Sequence, residues 1–228
     1  MTPESQELEA LLERAGVEPA LRGRLARYGA LVLQTNRRFN LTGARTGEEI
    51  GSHLIDSLTV VPYVSDPYVD IGTGGGFPAV PVALATGMPI TMIEANLKKA
   101  RFLETTLKQL DLRGEVVAER AEMAGHRPEL RERFASGTGR AIGSAPTVVE
   151  LLLPFLRTGG VAVLQRGHLG SAERVALEDA ALVLGGRVEI ETSAGDERRI
   201  IVLRKEAVTP SRFPRRTGIP AKRPLCSP

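Results

Sequence analysis

The sequence predicts an α/β fold, in which a mostly parallel sheet is covered by helices on both faces and ends in a C-terminal antiparallel hairpin. A helical N-terminal extension precedes this sheet. Short apolar strands alternate with helical patterns from residue 68 onward, as in parallel sheets. Residues 5–60 instead place apolar side chains at helical spacing. Near the end, residues 187–191 and 199–203 flank a short polar turn, which indicates the hairpin.

Three regions are expected along the chain. Residues 1–61 form the helical extension, residues 62–206 the sheet-forming core, and residues 207–228 a basic, proline-rich tail. Within the extension, residues 40–43 interrupt the helical pattern, and a further helix is expected from Gly47 to about Val61.

The core is expected to alternate between strands and helices. The expected elements are strand 68–71, helix 79–85, strand 90–94, helix 98–110, strand 115–119, helix 147–155, strand 161–165 and strands 187–191 and 199–203 around a turn with Gly195 and Asp196. An inner strand is also expected at residues 134–139. Two glycines and few branched side chains make that segment a poor strand sequence.

Composition narrows the class of protein. The 228 residues fit one ordinary domain, with 42% hydrophobic residues but only 4% aromatic ones, which disfavours recognition by many stacked bases. Lys and Arg number 30 against 27 Asp and Glu, so the placement of charge matters more than its sum. One cysteine, Cys226, excludes an internal disulfide and is expected to be an incidental tail residue. A cytoplasmic, monomeric protein without a membrane span is expected.

A glycine-rich loop follows the first core strand. Residues 70–76 read D-I-G-T-G-G-G, and glycines at a strand's carboxyl end let backbone approach a ligand closely. The segment Gly74–Ala79 also satisfies the dinucleotide pattern G-x-G-x-x-A, so a nicotinamide nucleotide is the rival ligand. A purely structural turn is the third interpretation.

Neighbouring residues favour S-adenosylmethionine over a dinucleotide. Asp70 precedes the first glycine by two, as is usual in methyltransferase cofactor loops. Pro78 removes a backbone donor near the helix start, where a pyrophosphate would need one. Glu94, at the end of the second strand, can accept hydrogen bonds from ribose hydroxyls with either ligand.

Four segments make the interpretation specific. They are residues 36–42 (N-R-R-F-N-L-T), residues 53–57 (H-L-I-D-S), residues 74–81 (G-G-G-F-P-A-V-P) and residues 214–225 (P-R-R-T-G-I-P-A-K-R-P-L). In this order they closely resemble the RsmG (GidB) family of 16S rRNA guanine-N7 methyltransferases, from about Leu31 to Leu225. The resemblance implies a Rossmann-like class I methyltransferase sheet, and methylation of guanine 527 in small-subunit rRNA.

The resemblance also implies which residues hold the cofactor. Those that match the family are Gly72, Phe77, Ala121, Glu122 and Arg140, and Glu94 matches its acidic position. With the loop residues Asp70, Gly74 and Gly76 they make the expected S-adenosylmethionine site. Two positions depart from the family pattern: Ala135 stands where an acid is usual, and Arg166 where lysine is usual.

Guanine N7 is an exposed lone pair without a proton, so its methylation needs positioning but no general base and no metal. Arg140, Asn40 and His53 are the candidates for holding the base. Arg140 could instead make a surface salt bridge, and Asn40 could cap a helix. His53 could be a packed ring hydrogen-bonded to Asp56, three residues along.

Basic residues at both ends of the chain suggest two phosphate-contacting patches on 16S rRNA or the small ribosomal subunit. The residues expected to bind RNA are Arg37, Arg38, Arg212, Arg215, Arg216, Lys222 and Arg223. Arg204 and Lys205 also belong to the C-terminal basic run. A solvated tail is the ordinary alternative. Its prolines and Gly218 predict a fixed extended segment rather than a helix.

Three other functions compete with this one. They are a methyltransferase for another RNA, a small molecule or a protein, a nucleotide-dependent oxidoreductase, and a non-catalytic RNA-binding module. The basic tail and the segments around Asn40 and His53 count against the first, and the intact glycine loop counts against the last.

Overall fold

The computed structural model describes residues 2–193 and 198–226. Its helices are α1 (Pro3–Arg14), α2 (Pro19–Asn36), α3 (Gly47–Leu58), α4 (Ala79–Thr86), α5 (Leu97–Gln109), α6 (Ala121–Ala124), α7 (Ala145–Leu152), α8 (Ser171–Val183) and α9 (Ile219–Lys222), with 3₁₀ turns at Val61–Tyr63 and Leu153–Phe155. Its strands are β1 (Tyr68–Ile71), β2 (Ile90–Ile93), β3 (Gly114–Val117), β4 (Phe134–Arg140), β5 (Leu156–Arg166), β6 (Gly186–Ser193) and β7 (Arg199–Lys205).

The strands form one sheet in the order β3-β2-β1-β4-β5-β7-β6. Strands β1 to β5 are parallel, and β7 lies antiparallel between β5 and β6. The mostly parallel sheet and the C-terminal hairpin are therefore confirmed. The turn expected at Gly195 and Asp196 lies outside the described residues. A reversed strand inside the sheet differs from the all-parallel 3-2-1-4-5-6 sheet of dinucleotide-binding folds.

The helical extension covers one face of the sheet. Thr2 caps α1, and Thr46 caps α3 through a reciprocal capping box with Glu49. Leu25 and Tyr28 of α2 are fully buried, in the same apolar cluster as Val80 of α4. The extension and the sheet thus share one core, so residues 2–61 pack as part of the main body.

The opposite face is covered by α6, α7 and α8. There the poor strand sequence at residues 134–139 proves to be the central strand β4. A Cβ on Gly137 would lie 2.8 Å from Leu152 of α7, and one on Gly139 would lie 2.8 Å from Val148 of the same helix. The glycines weaken the strand's intrinsic preference, but they let α7 approach the sheet closely.

Within the core, helices α6 and α8 were not predicted from the sequence. The buried residues of α8 include the small side chains Ala176, Ala180 and Ala181, and the helix starts after Gly170 without a side-chain cap. Small apolar residues give a weak periodic signal, and the missing cap removes the usual start signal. Helix α6 has only one turn, which is too short for periodicity to show.

The basic tail is packed along the α6–α7 face. The guanidinium of Arg131 donates to the main-chain oxygens of Thr209 (2.7 Å) and Phe213 (2.8 Å). The tail is fixed as predicted, but the expectation that it contains no helix is wrong at Ile219–Lys222. Gly218 takes a left-handed conformation at the start of this turn, and Pro220 lies where no backbone donor is needed.

Lys205 and Arg215, both in the C-terminal basic run, hold the structure together. The Lys205 ammonium is fully buried, donates to the carbonyl of Leu153 (2.7 Å) and contacts Glu132, and burial lowers its pKa to about 8. Arg215 makes a bidentate pair with the fully buried carboxylate of Glu150, at 2.9 and 2.7 Å. Lys205 therefore has no surface at which it could meet RNA.

Across the described ranges, the helices are all too short or too polar to cross a bilayer.

Two glycines of α2 allow a matched test of the packing. A Cβ on Gly29 would meet Leu8 at 2.7 Å and Ile50 at 3.1 Å, whereas one on Gly23 would meet nothing within 4 Å. We expect Gly29→Ala to lower the free energy of unfolding by about 1–3 kcal/mol. Gly23→Ala should raise it by up to about 1 kcal/mol, because alanine favours helix. Urea unfolding measures both, and equal effects would contradict the packing.

Candidate functional site

The strand register gathers the predicted site residues at one edge of the sheet. Ile71 lies opposite both Ile93 and Gly139 on its two neighbours, and Ile93 lies opposite Val117. The next residue on each of β1, β2 and β4 is therefore Gly72, Glu94 or Arg140, all at the carboxyl edge. Ligands bind at this edge in open parallel sheets. Ala121 and Glu122 follow β3 at the same edge.

Gly72 and Gly74 of the loop both take φ near +60°. A Cβ on Gly72 would lie 2.2 Å from Ile142, so this position has no room for a side chain. A Cβ on Gly74 would find nothing nearer than 3.8 Å, so its backbone borders open space. The first glycine is required by packing, and the second leaves main chain accessible to a ligand.

The carboxylate of Glu94 is buried and holds the loop. One oxygen accepts from the amide of Gly74 (2.8 Å), and the other accepts from the amide of Asn96 (2.7 Å). Asn96 in turn caps α5. Each carboxylate oxygen keeps a second lone pair, so Glu94 can brace the loop and still accept from ribose hydroxyls.

Asp70 is fully buried beneath the loop. One of its oxygens accepts from the hydroxyl of Thr138 (2.6 Å), which lies 2.5 Å from the Tyr68 hydroxyl. The other oxygen, Oδ2, is buried and has no hydrogen-bond partner among the described residues. Burial raises the pKa of Asp70 from 3.8 to about 7, although Thr138 opposes the shift.

Phe77, at the end of the loop, lies in an aromatic cluster. Its ring centroid is 5.2 Å from that of Tyr28 and 5.6 Å from that of His53. The guanidinium of Arg140 lies 5.4 Å from the same ring, within cation–π range. Tyr28 also donates to the carbonyl of Gly75 (2.5 Å). The helical extension and β4 are thereby joined to the cofactor loop through one phenyl ring.

A cavity of about 610 Å³ opens beside this cluster. Its lining residues are Thr42, Gly43, His53, Asp56, Arg140, Ala141, Gln165, Arg166, Gly167, Arg198 and Arg199. Four of them are arginines and one is an acid. The cavity is therefore suited to a ligand that combines a planar polar group with negative charge.

His53 and Asp56 both line this cavity. The described structure shows no hydrogen bond between them, in contrast to the packed pair that the sequence offered as an alternative. The Asp56 carboxylate pairs instead with Arg140 (2.9 Å) and Arg198 (3.1 Å). Burial, and next the charge of Arg140, lower the pKa of His53 below its ordinary 6.5. His53 is consequently neutral at pH 7, and Arg140 makes a partly buried ion pair.

Asn40 does not reach the cavity. It is exposed, and its side-chain oxygen accepts from Arg45 (3.0 Å). It does not cap α3 either, because Thr46 does so. Sequence reasoning missed the buried Asn36, which accepts from the amides of Leu41 and Thr42 at 2.8 and 3.0 Å and shapes the segment that lines the cavity. Its only sequence signal was its place in the first motif.

The remaining candidates are divided between packing and surface positions. Glu122 is buried and accepts from the amide of Gly218 in the tail (2.9 Å). Arg37 is exposed and contacts Glu4. Arg212 lies over the Phe213 ring, and Arg212 and Arg216 line a shallow groove of about 820 Å³ with Met123 and Pro214. Arg38, Lys222 and Arg223 are exposed.

The site fits S-adenosylmethionine better than a dinucleotide. Gly74 leaves open backbone, Asp70 Oδ2 is buried without a partner in the described part of the chain, and Glu94 keeps lone pairs at the end of β2. The reversed strand β7 completes the class I methyltransferase sheet. Fold and site thus define an S-adenosylmethionine-dependent methyltransferase. An O-methyltransferase from Bacillus cereus, solved in complex with S-adenosylhomocysteine, has this fold, with TM-score 0.57, 20% identity and coverage of 78% of this chain and 91% of that one.

Sequence comparison identifies the family. The family model described as rRNA small subunit methyltransferase G matches residues 22–202. A protein of Deinococcus deserti named ribosomal RNA small subunit methyltransferase G is 38% identical over 99% of this chain and 98% of its own length. One of the same name from Trichormus variabilis is 38% identical over 86% of each. The chain belongs to the rRNA small subunit methyltransferase G family, as its motifs indicated.

The buried Asp70 predicts an unusual pH dependence. Between pH 3.8 and about 7 the unfolded chain ionises this group while the native state keeps the proton. Stability should therefore fall as pH rises through this window, by on the order of 4 kcal/mol. Asp70→Asn should remove that slope, whereas Asp179→Asn, at an exposed helical position, should keep it. Urea unfolding from pH 4.5 to 8 measures the slopes. An unchanged slope in Asp70→Asn would contradict the assignment.

Gly74 offers a test of the cofactor loop with a matched control. Gly74 and Gly87 have similar φ angles, +60° and +72°, and neither has a close neighbour. We expect Gly74→Asp to reduce S-adenosylmethionine binding at least about tenfold, because it adds bulk and a negative charge beside Glu94. Gly87→Asp, which follows α4, should bind normally. Calorimetry measures both, and normal binding by Gly74→Asp would place the ligand elsewhere.

Proposed function

We propose that this methyltransferase transfers a methyl group from S-adenosylmethionine to N7 of a guanine in 16S rRNA, at position 527 as the family resemblance implies. The observation that carries the proposal is the arginine-lined cavity beside the glycine loop, because Arg140 borders both. An electron-rich polar base on a polyanionic chain matches the lining of this cavity. The printed names of the relatives support a small-subunit rRNA substrate.

The cofactor would lie against residues of the carboxyl edge. The proposed contacts are Asp70, Gly72, Gly74, Gly76, Phe77, Glu94, Ala121, Glu122 and Arg140. When bound, S-adenosylmethionine supplies an electrophilic methyl group on a sulfonium. Glu94 would accept from its ribose hydroxyls, and Gly74 would offer open backbone.

The protein's contribution to the transfer is positioning. N7 presents a lone pair without a proton, so no side chain has to remove one. His53 borders the cavity with the buried Phe77 ring packed against it, and Arg140, held by Asp56, would offer N–H donors to the base. Because the pKa of His53 is lowered, its ring stays neutral beside a product base that gains positive charge.

Exposed cations away from the cavity are proposed to contact the rRNA backbone. Arg37, Arg38, Arg212, Arg216, Lys222 and Arg223 lie at the surface or line the shallow groove. The guanidinium of Arg215 is paired with Glu150, so we propose that only the exposed 26% of its side chain contacts RNA. We also propose a monomer in the cytoplasm, where small subunits are made.

Mapping of 7-methylguanosine in 16S rRNA tests the proposed function. Cells lacking the gene should lose one such residue, and the wild-type gene should restore it. Arg140→Gln should restore less than about a tenth, because it removes the cation between cofactor loop and cavity. Arg157→Gln, an equal change of charge at the exposed far end of β5, should restore it fully. An unaltered 7-methylguanosine pattern in the deletion strain would refute the proposal.

A further inference from the structure

Two arginines lie directly opposite each other at the mouth of the cavity. Arg166 is the last residue of β5, and it pairs in register with Arg199, the first residue of the antiparallel strand β7. Directly opposed side chains have Cβ atoms about 4.5–5.5 Å apart, and like charges at that spacing are unfavourable. An anion placed between the two guanidinium groups would relieve this repulsion.

The partners of these two arginines leave donors available. Arg166 pairs with Glu173 (2.9 Å) and donates to the carbonyl of Gly143. Arg199 donates to the neutral hydroxyl of Ser193 (3.1 Å). A guanidinium carries five N–H groups, so each arginine retains donors beyond these contacts.

Arg198 adds a third cation to the same mouth. It shares the single carboxylate of Asp56 with Arg140, at 3.1 and 2.9 Å, and 44% of its side chain is exposed. One negative charge therefore faces two positive ones on this side. On the other side, Glu173 pairs with Arg166, whereas Arg199 donates to a hydroxyl.

We propose that Arg166, Arg198 and Arg199 form a binding site for a phosphate of the RNA backbone next to the target guanine. This inference rests on the proposed function and deepens it. A phosphodiester between Arg166 and Arg199 would replace their repulsion by two charge-assisted hydrogen bonds. Such a contact would hold the strand equally in the bound and the reacting complex, so it would contribute to the affinity for the RNA.

The site lies apart from the basic tail. The tail's fixed cations line the α6–α7 face or point to solvent, whereas these three arginines come from the ends of β5 and β7. These three arginines would bind one phosphate beside the cavity in which the methyl transfer takes place. The tail cations, with Arg37 and Arg38 after α2, would hold more distant backbone.

Arg199→Gln tests the site, with Arg157→Gln as the matched control on β5. The probes are 16S rRNA and small subunits, both from cells lacking the gene. Arg199→Gln should reduce the slope of log affinity against log salt by about 0.7–0.9, the share of one phosphate. It should raise KM for the RNA about tenfold with kcat nearly unchanged. Arg157→Gln should alter neither, and Arg199→Lys should restore the slope.

Two further measurements separate this site from a structural role. Calorimetry should show unchanged S-adenosylmethionine binding in Arg199→Gln. Its melting temperature without RNA should equal or exceed that of the wild type, because a like-charge pair has been removed. A lowered melting temperature, or a salt slope equal to that of the wild type, would overturn the phosphate site. If the wild-type protein itself methylates neither RNA probe, the proposed function fails instead.

Discussion

The register of the parallel strands is the constraint on which the site depends. Ile71, Ile93, Val117 and Gly139 lie at one level, so the chain leaves the sheet at the same edge four times in succession. Hydrogen bonds then join the exits, as Glu94 does when it accepts from Gly74. A slip of one residue would turn every side chain of the slipped strand to the other face. The cofactor loop, the acidic residue of β2 and Arg140 would then separate.

The fold was largely predictable because its strongest signals are local. The apolar runs of β1, β2 and β5 and the glycine loop are recognisable without tertiary information. Strand β4 was predicted for its place in the alternation, against its own composition. Its glycines make sense only with α7 present, since Val148 and Leu152 occupy the space that a Cβ would need. Helix α8 was not predicted because its buried face is rich in alanine, which gives little hydrophobic periodicity.

The candidate site was predictable at the loop and much less so in the cavity. Asp70 and Glu94 lie in strands whose ends could be located from the sequence. The partner of Asp56 could not be inferred in this way: His53 is three residues away on the same helix, but Arg140 and Arg198 come from distant segments. Likewise, the sequence does not distinguish Arg215 from the other cations of the tail, because its ion pair with the buried Glu150 forms only in the folded protein. Ion pairs between distant segments depend on how the segments pack, and the hydrophobic periodicity of a sequence does not predict that packing.

The fixed tail has a consequence for any shortened form of the protein. Glu150 and Glu122 are buried carboxylates whose partners, Arg215 and Gly218, lie in the tail. An anion buried without its partner is strongly destabilising. Deleting the tail would therefore weaken the packing of α6 and α7 as well as remove surface cations. A loss of RNA binding on such a deletion would combine lost stability with lost charge.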